Sequence, residues 1–291
     1  MIFVDGIGEP EGPVLLEDES WVIVEMSSDR GCVTHIDKEG KQKKVIAKTG
    51  RPNGLAVDKE GTIWVAESMV PSLLRLTMDG KYEVFLTDAN DEEFLFPNDL
   101  VFGPDGYLYM TDSGILFDDL VINGELRSDY KEAKYDGRVY KIDTKTKQIT
   151  KIDSGILFTN GLVFGPDGNL YVDETITGNV YRYQWTDGEV VGPREEFGNV
   201  IAPDALPGFT GPDGMKFGLN GHLYVTVYGQ GDVTVLGKDG KVSERIKLEG
   251  KLPTNCAFGP EGSKKLYVTE VEFGRMEVFD VGVDGFPLYK G

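Results

Sequence analysis

Internal repetition constrains this chain more than any other feature, because a unit that recurs along a sequence buries its faces against copies of itself. Six segments align with one another as strand, tight turn, strand: EPEGPVLLEDESWVIVEM, RPNGLAVDKEGTIWVAES, FPNDLVFGPDGYLYMTDS, FTNGLVFGPDGNLYVDET, TGPDGMKFGLNGHLYVTV and LPTNCAFGPEGSKKLYVTE, starting at residues 9, 51, 96, 158, 210 and 252. After each hairpin there is room for two further short strands, such as CVTHID and KKVIAK in the first repeat or RVYKID and QITKID in the third. The apolar runs suit strands, and no long helical pattern interrupts them. The expected fold class is therefore all-β, a six-bladed β-propeller with four-stranded antiparallel blades. Residues 1–291 read as one propeller domain with an inserted loop at about 113–137, on a face where such loops cover sites or bind partners. Either MIFVD or PLYK could supply the outer strand of the last blade.

The tetrapeptide GPDG occurs at 103–106, 165–168 and 211–214. The first two precede YLYM and NLYV directly and read as hairpin turns. The third lies too early for that job, since LNG already supplies the turn before HLYV. Aligned on its hairpin, Asp213 falls on Asn160, and the equivalent positions around the ring are read as Glu11, Asn53, Asn98, Asn160, Asp213 and Asn255. Asn-Gly and Asp-Gly are ordinary turn chemistry, but a turn requirement does not place oxygen donors at one level in six blades. Two carboxylates, Glu11 and Asp213, with amide oxygens beside them are the donor set of a hard cation such as calcium.

Zinc is disfavoured by the lack of nitrogen and sulfur ligands. His35 and His222 are expected at the surface, and Cys256 in the core. A second acidic series, Glu25, Glu67, Asp112, Glu174 and Glu270, ends the second strand of five blades, with Val227 breaking it. These acids are expected to accept hydrogen bonds from backbone or hydroxyl groups of adjoining blades.

A formal charge of −19 removes the phosphate-neutralising term of nucleic-acid binding, so no nucleic-acid partner is expected. No apolar run reaches the length of a membrane span, so no membrane partner is expected either. From two distant cysteines and an opening MIFVDGIGEP without signal-peptide character, a cytoplasmic protein with free thiols is expected.

With Glu11 in PEGP, Asn98 in FPND, Asn160 in TNGL and Asp213 in GPDG, the chain resembles the senescence marker protein, gluconolactonase and luciferin-regenerating enzyme family over nearly its whole length. The resemblance implies one catalytic divalent cation on the axis, most often Ca2+, with Zn2+ or Mn2+ as substitutes. It implies Glu11, Asn160 and Asp213 as metal ligands, with Asn98 beside them binding the metal directly or through water and substrate. The similar diisopropyl fluorophosphatase uses all four residue types as ligands. Some lactonases of the family place an arginine where this chain has Phe96, so Phe96 and Asp99 become the expected substrate contacts and a more apolar ring becomes plausible.

The leading functional reading is a calcium-type lactonase that hydrolyses a small-molecule lactone or ester, with Asp213 as general base. Alternatives are a phosphotriesterase or another metal-dependent enzyme using the same residues, and a non-catalytic scaffold whose face binds a protein. The physiological substrate, the oligomeric state and the choice among Asp213-activated water, metal-bound water and Asp213 itself as nucleophile are not legible in the sequence.

Overall fold

The computed structural model describes all 291 residues and contains six four-stranded antiparallel sheets arranged as blades. From the innermost strand outward, blade 1 comprises Pro10–Leu15, Trp21–Glu25, Cys32–Ile36 and Lys43–Lys48. The innermost strands of blades 2 to 6 are Pro52–Val57, Pro97–Phe102, Thr159–Phe164, Gly211–Phe217 and Pro253–Phe258. Each inner strand touches the inner strand of the next blade, and Pro253–Phe258 touches Pro10–Leu15, which closes the ring.

The ring is sealed by the N-terminus. Ile2–Asp5 pairs with Arg275–Asp280 as the outermost strand of blade 6. The PLYK segment instead crosses the far face, where Phe286 donates to Phe217 O, Lys59 donates to Lys290 O, and Tyr289 bridges Phe102.

Burial follows the repeat. Val22, Val24 and Val33 of blade 1 pack on Leu55, Val65 and Leu74 of blade 2, and comparable clusters fill the other five seams. A blade thus has no core of its own and is stabilised by its two neighbours.

The two early GPDG segments behave as expected: Gly106 and Gly168 take φ of 79° and 81°, the left-handed region a tight turn needs. Their aspartates also reach forward, Asp105 accepting from Tyr109 OH at 3.0 Å and Asp167 from Tyr171 OH at 2.9 Å. The insertion lies between Leu108–Asp112 and Gly137–Ile142 of blade 3 and holds a short helix, Phe117–Leu120, and a small hairpin. No helix is long and apolar enough to cross a membrane.

Candidate functional site

Every inner strand carries a register irregularity near its start. In blades 2 to 6 the ladder breaks between Pro52 and Leu55, Pro97 and Leu100, Thr159 and Leu162, Pro212 and Met215, and Pro253 and Cys256; in blade 1 it breaks after Glu11. A bulge bends a strand and re-aims its side chains. Here it holds Glu11, Asn53, Asn98, Asn160 and Asp213 at one level of the ring.

The sixth position differs from expectation. Thr254, not Asn255, follows Pro253 as Asn98 follows Pro97, so Asn255 occupies the place of Asp99 and of Gly54, Gly161 and Gly214. The Thr254 hydroxyl donates to Pro10 O at 2.7 Å, stitching the last blade to the first.

The glycine after the ring residue has a packing cause. Gly54, Gly161 and Gly214 do not take positive φ. A Cβ at Gly161 would strike the Asp213 carbonyl, and one at Gly214 would overlap the Asn255 carboxamide. The third GPDG is therefore part of an inner strand, with glycine demanded by the neighbouring blade.

Two amides are oriented by hydroxyls one residue past the acidic series. Asn98 Nδ2 donates to Ser113 Oγ at 2.9 Å, and Asn160 Nδ2 donates to Thr175 Oγ1 at 3.3 Å. Those hydroxyls donate in turn to Thr159 O and Pro212 O, both at 2.9 Å. With its NH2 group so engaged, Asn160 keeps Oδ1 buried and without a partner. Glu11 shows the same pattern: Oε1 accepts from Asn255 Nδ2 at 2.7 Å, while Oε2 is buried and unpartnered.

Around these oxygens the charge is negative. Burial, then Asp99 and Asp213, push Glu11 well above the usual carboxylate range, and burial, then Asp99, do the same to Asp213. Asp213 nevertheless keeps partial exposure, whereas Glu11 and Asp99 are each only 3% exposed. Asp173, fully buried and with neither oxygen well hydrogen-bonded, is raised by burial and by Asp213. The one ammonium among them, Lys216, donates only to Met215 O at 3.1 Å and pulls Glu11, Asp99 and Asp173 back toward ionisation.

No three His, Cys, Asp or Glu side chains gather closely enough to share an ion. A cation held here would draw on amide oxygens as well as carboxylates. The donors suit that: all are oxygen, two belong to carboxyl groups that a cation would hold ionised, and unpartnered buried oxygens otherwise carry an uncompensated desolvation cost.

One step above the ring, the residues preceding the inner strands form a collar: Glu9, Arg51, Phe96 and Phe158 in blades 1 to 4. The acidic series fixes this collar through its backbone. Glu67 Oε1 accepts from Arg51 N at 2.6 Å, Asp112 accepts from Phe96 N at 2.9 Å, and Glu174 accepts from Leu157 N at 2.6 Å. The partners are thus linkers entering the same blade, rather than groups of adjoining ones. Phe96 packs on Phe117 and Phe158, and the inserted loop covers them with Leu120 and Ile115. Tyr130 of that loop donates to Gly208 O at 2.6 Å, tying it down beyond blade 4. Met69, Val70, Leu206 and Phe273 expose apolar surface from loops on the same face.

Asp99 lies one step deeper, with Oδ1 accepting from Leu100 N at 2.8 Å. With Lys216 and Asn255 it lines a chamber of about 1010 Å3 that lies on the opposite face, beneath the PLYK tail. Cys32 and Cys256 are buried free thiols. His222 is half-buried, as is His35, whose ring contacts Ser20 Oγ at 2.9 Å, so neither is a plain surface residue.

The fold and its axial level define a class: a six-bladed propeller whose inner strands present acids and amides at one end of the central channel. The chain belongs to the SMP-30/Gluconolactonase/LRE-like family, whose model matches residues 10–272. It is 26% identical over 270 residues to a gluconolactonase of Zymomonas mobilis, covering 87% of this chain and 73% of that one. It is 31% identical over 187 residues to strictosidine synthase-like protein 3 of Arabidopsis thaliana, covering 62% of this chain but only 43% of that protein. The fold matches a calcium-binding protein, regucalcin, from Agrobacterium tumefaciens with a TM-score of 0.79 at 18% identity, covering 99% and 95% of the two chains.

Proposed function

We propose that this protein is a metal-dependent lactonase that opens a ring ester with one hard divalent cation, Ca2+, held by Glu11, Asn160 and Asp213 with Asn98 alongside. The observation that carries this reading is the pair of buried, unpartnered oxygens, Glu11 Oε2 and Asn160 Oδ1, beside a carboxylate that keeps access to solvent. Family membership and the gluconolactonase relative support a hydrolase acting on lactones. The regucalcin neighbour supports calcium.

When bound, the cation supplies positive charge against the ester carbonyl. Asp213 takes a proton from the water that adds to the carbonyl carbon and returns it to the ring oxygen as the C–O bond breaks, giving a hydroxy acid. Asn98 and Asn160, held by Ser113 and Thr175, need no reorganisation as charge develops. Glu11, anchored by Asn255, would be the second carboxylate to hold the cation.

The test is hydrolysis of γ- and δ-lactones by chelator-stripped protein before and after calcium is restored, with a phosphotriester panel in parallel. Turnover of lactones that returns with calcium supports the reading. Phosphotriester turnover without lactone turnover transfers the same residues to the alternative chemistry. The apolar side chains exposed on the collar face favour a scaffold as the second reading, and inertness toward both panels would select it.

A further inference from the structure

Arg51 occupies an unusual position. Its guanidinium carbon lies 4.4 Å from the ring centre of Phe117 and 5.6 Å from that of Phe96, so the planar group is backed by two phenyl faces. It forms no salt bridge with any carboxylate of the chain. Its side chain makes a single hydrogen bond, from Nη1 to Ser68 Oγ at 3.2 Å, although a guanidinium carries five N–H donors. Its backbone is pinned by Glu67, and the carboxylates of Glu9, Glu67 and Asp213 act on its charge without reaching salt-bridge distance.

No Arg51 nitrogen is among the buried unpartnered atoms, so the unused donors stay open to an incoming group, and an anion is the partner that a planar guanidinium binds most strongly. Its fork matches a carboxylate in a bidentate pair, which an ammonium does not reproduce. The collar neighbours of Arg51 are Glu9 in blade 1 on one side and, on the other, Phe96 and Phe158 in blades 3 and 4. We propose that Arg51 is the specificity-determining residue of this site and that the substrate is a ring ester carrying a carboxylate, which docks on the Arg51 fork with its apolar part toward the phenyl groups. This assignment rests on the lactonase reading for the word substrate, but recognition of the carboxylate by Arg51 stands or falls separately.

The experiment compares the wild-type protein, Arg51→Met and Arg51→Lys on γ-butyrolactone and on the same ring bearing a carboxylate at the γ-carbon. Calorimetric binding of the hydroxy-diacid product, 2-hydroxyglutarate, is measured in parallel. Arg51→Met keeps an unbranched apolar stem but removes the guanidinium that lies over the phenyl groups, and Arg51→Lys serves where the methionine variant does not fold. The expected result is a KM for the charged lactone that rises on the order of tenfold to a hundredfold in Arg51→Met, the size of a charge-assisted pair. Arg51→Lys should lie between; loss of the charge near Asp213 acts on both lactones alike, so the carboxylate site is read from the KM of the charged lactone relative to that of the neutral one. Equal effects on both lactones, or none on either, overturn the proposal. If neither lactone is hydrolysed, product binding decides: Arg51-dependent binding keeps the carboxylate site while the lactonase reading falls, and Arg51-independent or absent binding removes the carboxylate site.

Discussion

Asn255 donates its carboxamide to Glu11 at 2.7 Å across the seam where the last blade meets the first. The contact is between residues 244 positions apart, and it holds one Glu11 oxygen while the other remains unpartnered. Asn255→Ala should therefore cost about 1 to 3 kcal/mol, read by denaturant unfolding, and should weaken calcium binding. An unchanged calcium affinity would show that Glu11 is positioned by something else.

The pH dependence of the metal-free protein follows from the raised acids. Glu11, Asp99, Asp173 and Asp213 all hold protons more tightly folded than unfolded. Above the ordinary carboxylate range of about 4, the unfolded chain releases these protons first, so their contribution to stability falls as pH rises. A divalent cation favours the ionised forms and should cancel that fall. Thermal melts from pH 5 to 8 are expected to show the stabilisation by calcium growing with pH; a constant gap would place the ion away from these groups.

Gly214→Ala tests the packing account of the third GPDG. The backbone conformation there tolerates alanine, but the added methyl meets Asn255. We expect a loss of roughly 1 to 3 kcal/mol together with impaired calcium binding. Gly168→Ala, in a turn with nothing nearby but φ of 81°, should cost about 1 to 2 kcal/mol and leave binding intact.

Ring closure by the N-terminal strand predicts an asymmetry between the ends. Val4 is 4% exposed in the seam between blades 6 and 1, whereas Leu288 in the tail is 44% exposed. Val4→Asp should cost about 3 to 5 kcal/mol, and Leu288→Asp should fall within about 0.5 kcal/mol. Comparable unfolding midpoints would contradict closure through Ile2–Asp5.

Blade number and the second-to-third-strand location of the insertion were legible because each repeat announces its hairpin. The acidic series was legible as structural, since each acid recurs at the end of the second strand. Asn255 was misplaced because residue chemistry was allowed to override spacing: Asn98, Asn160 and Asp213 each stand five residues before a glycine, and in the last repeat that position is Thr254, before Gly259. Ser113 and Thr175 carried a readable signal, a hydroxyl directly after the acid, that passed unused. Arg51 stands two residues before Asn53 as Phe96 stands two before Asn98, and the same counting would have found it. Lys216 and Asp173 could not be found this way, because nothing in their own repeats marks the channel into which neighbouring blades bring them together.

The central claim is that Glu11, Asn160 and Asp213 hold one ion. Calorimetric titration of chelator-stripped protein with CaCl2 tests it most directly, run on the wild type and on Glu11→Gln and Asp213→Asn variants shown by circular dichroism to be folded. The account predicts one calcium per chain for the wild type, and affinity at least about tenfold weaker in each variant, the loss of one charge-assisted contact. Absence of binding, or variants that bind as tightly as the wild type, would contradict it.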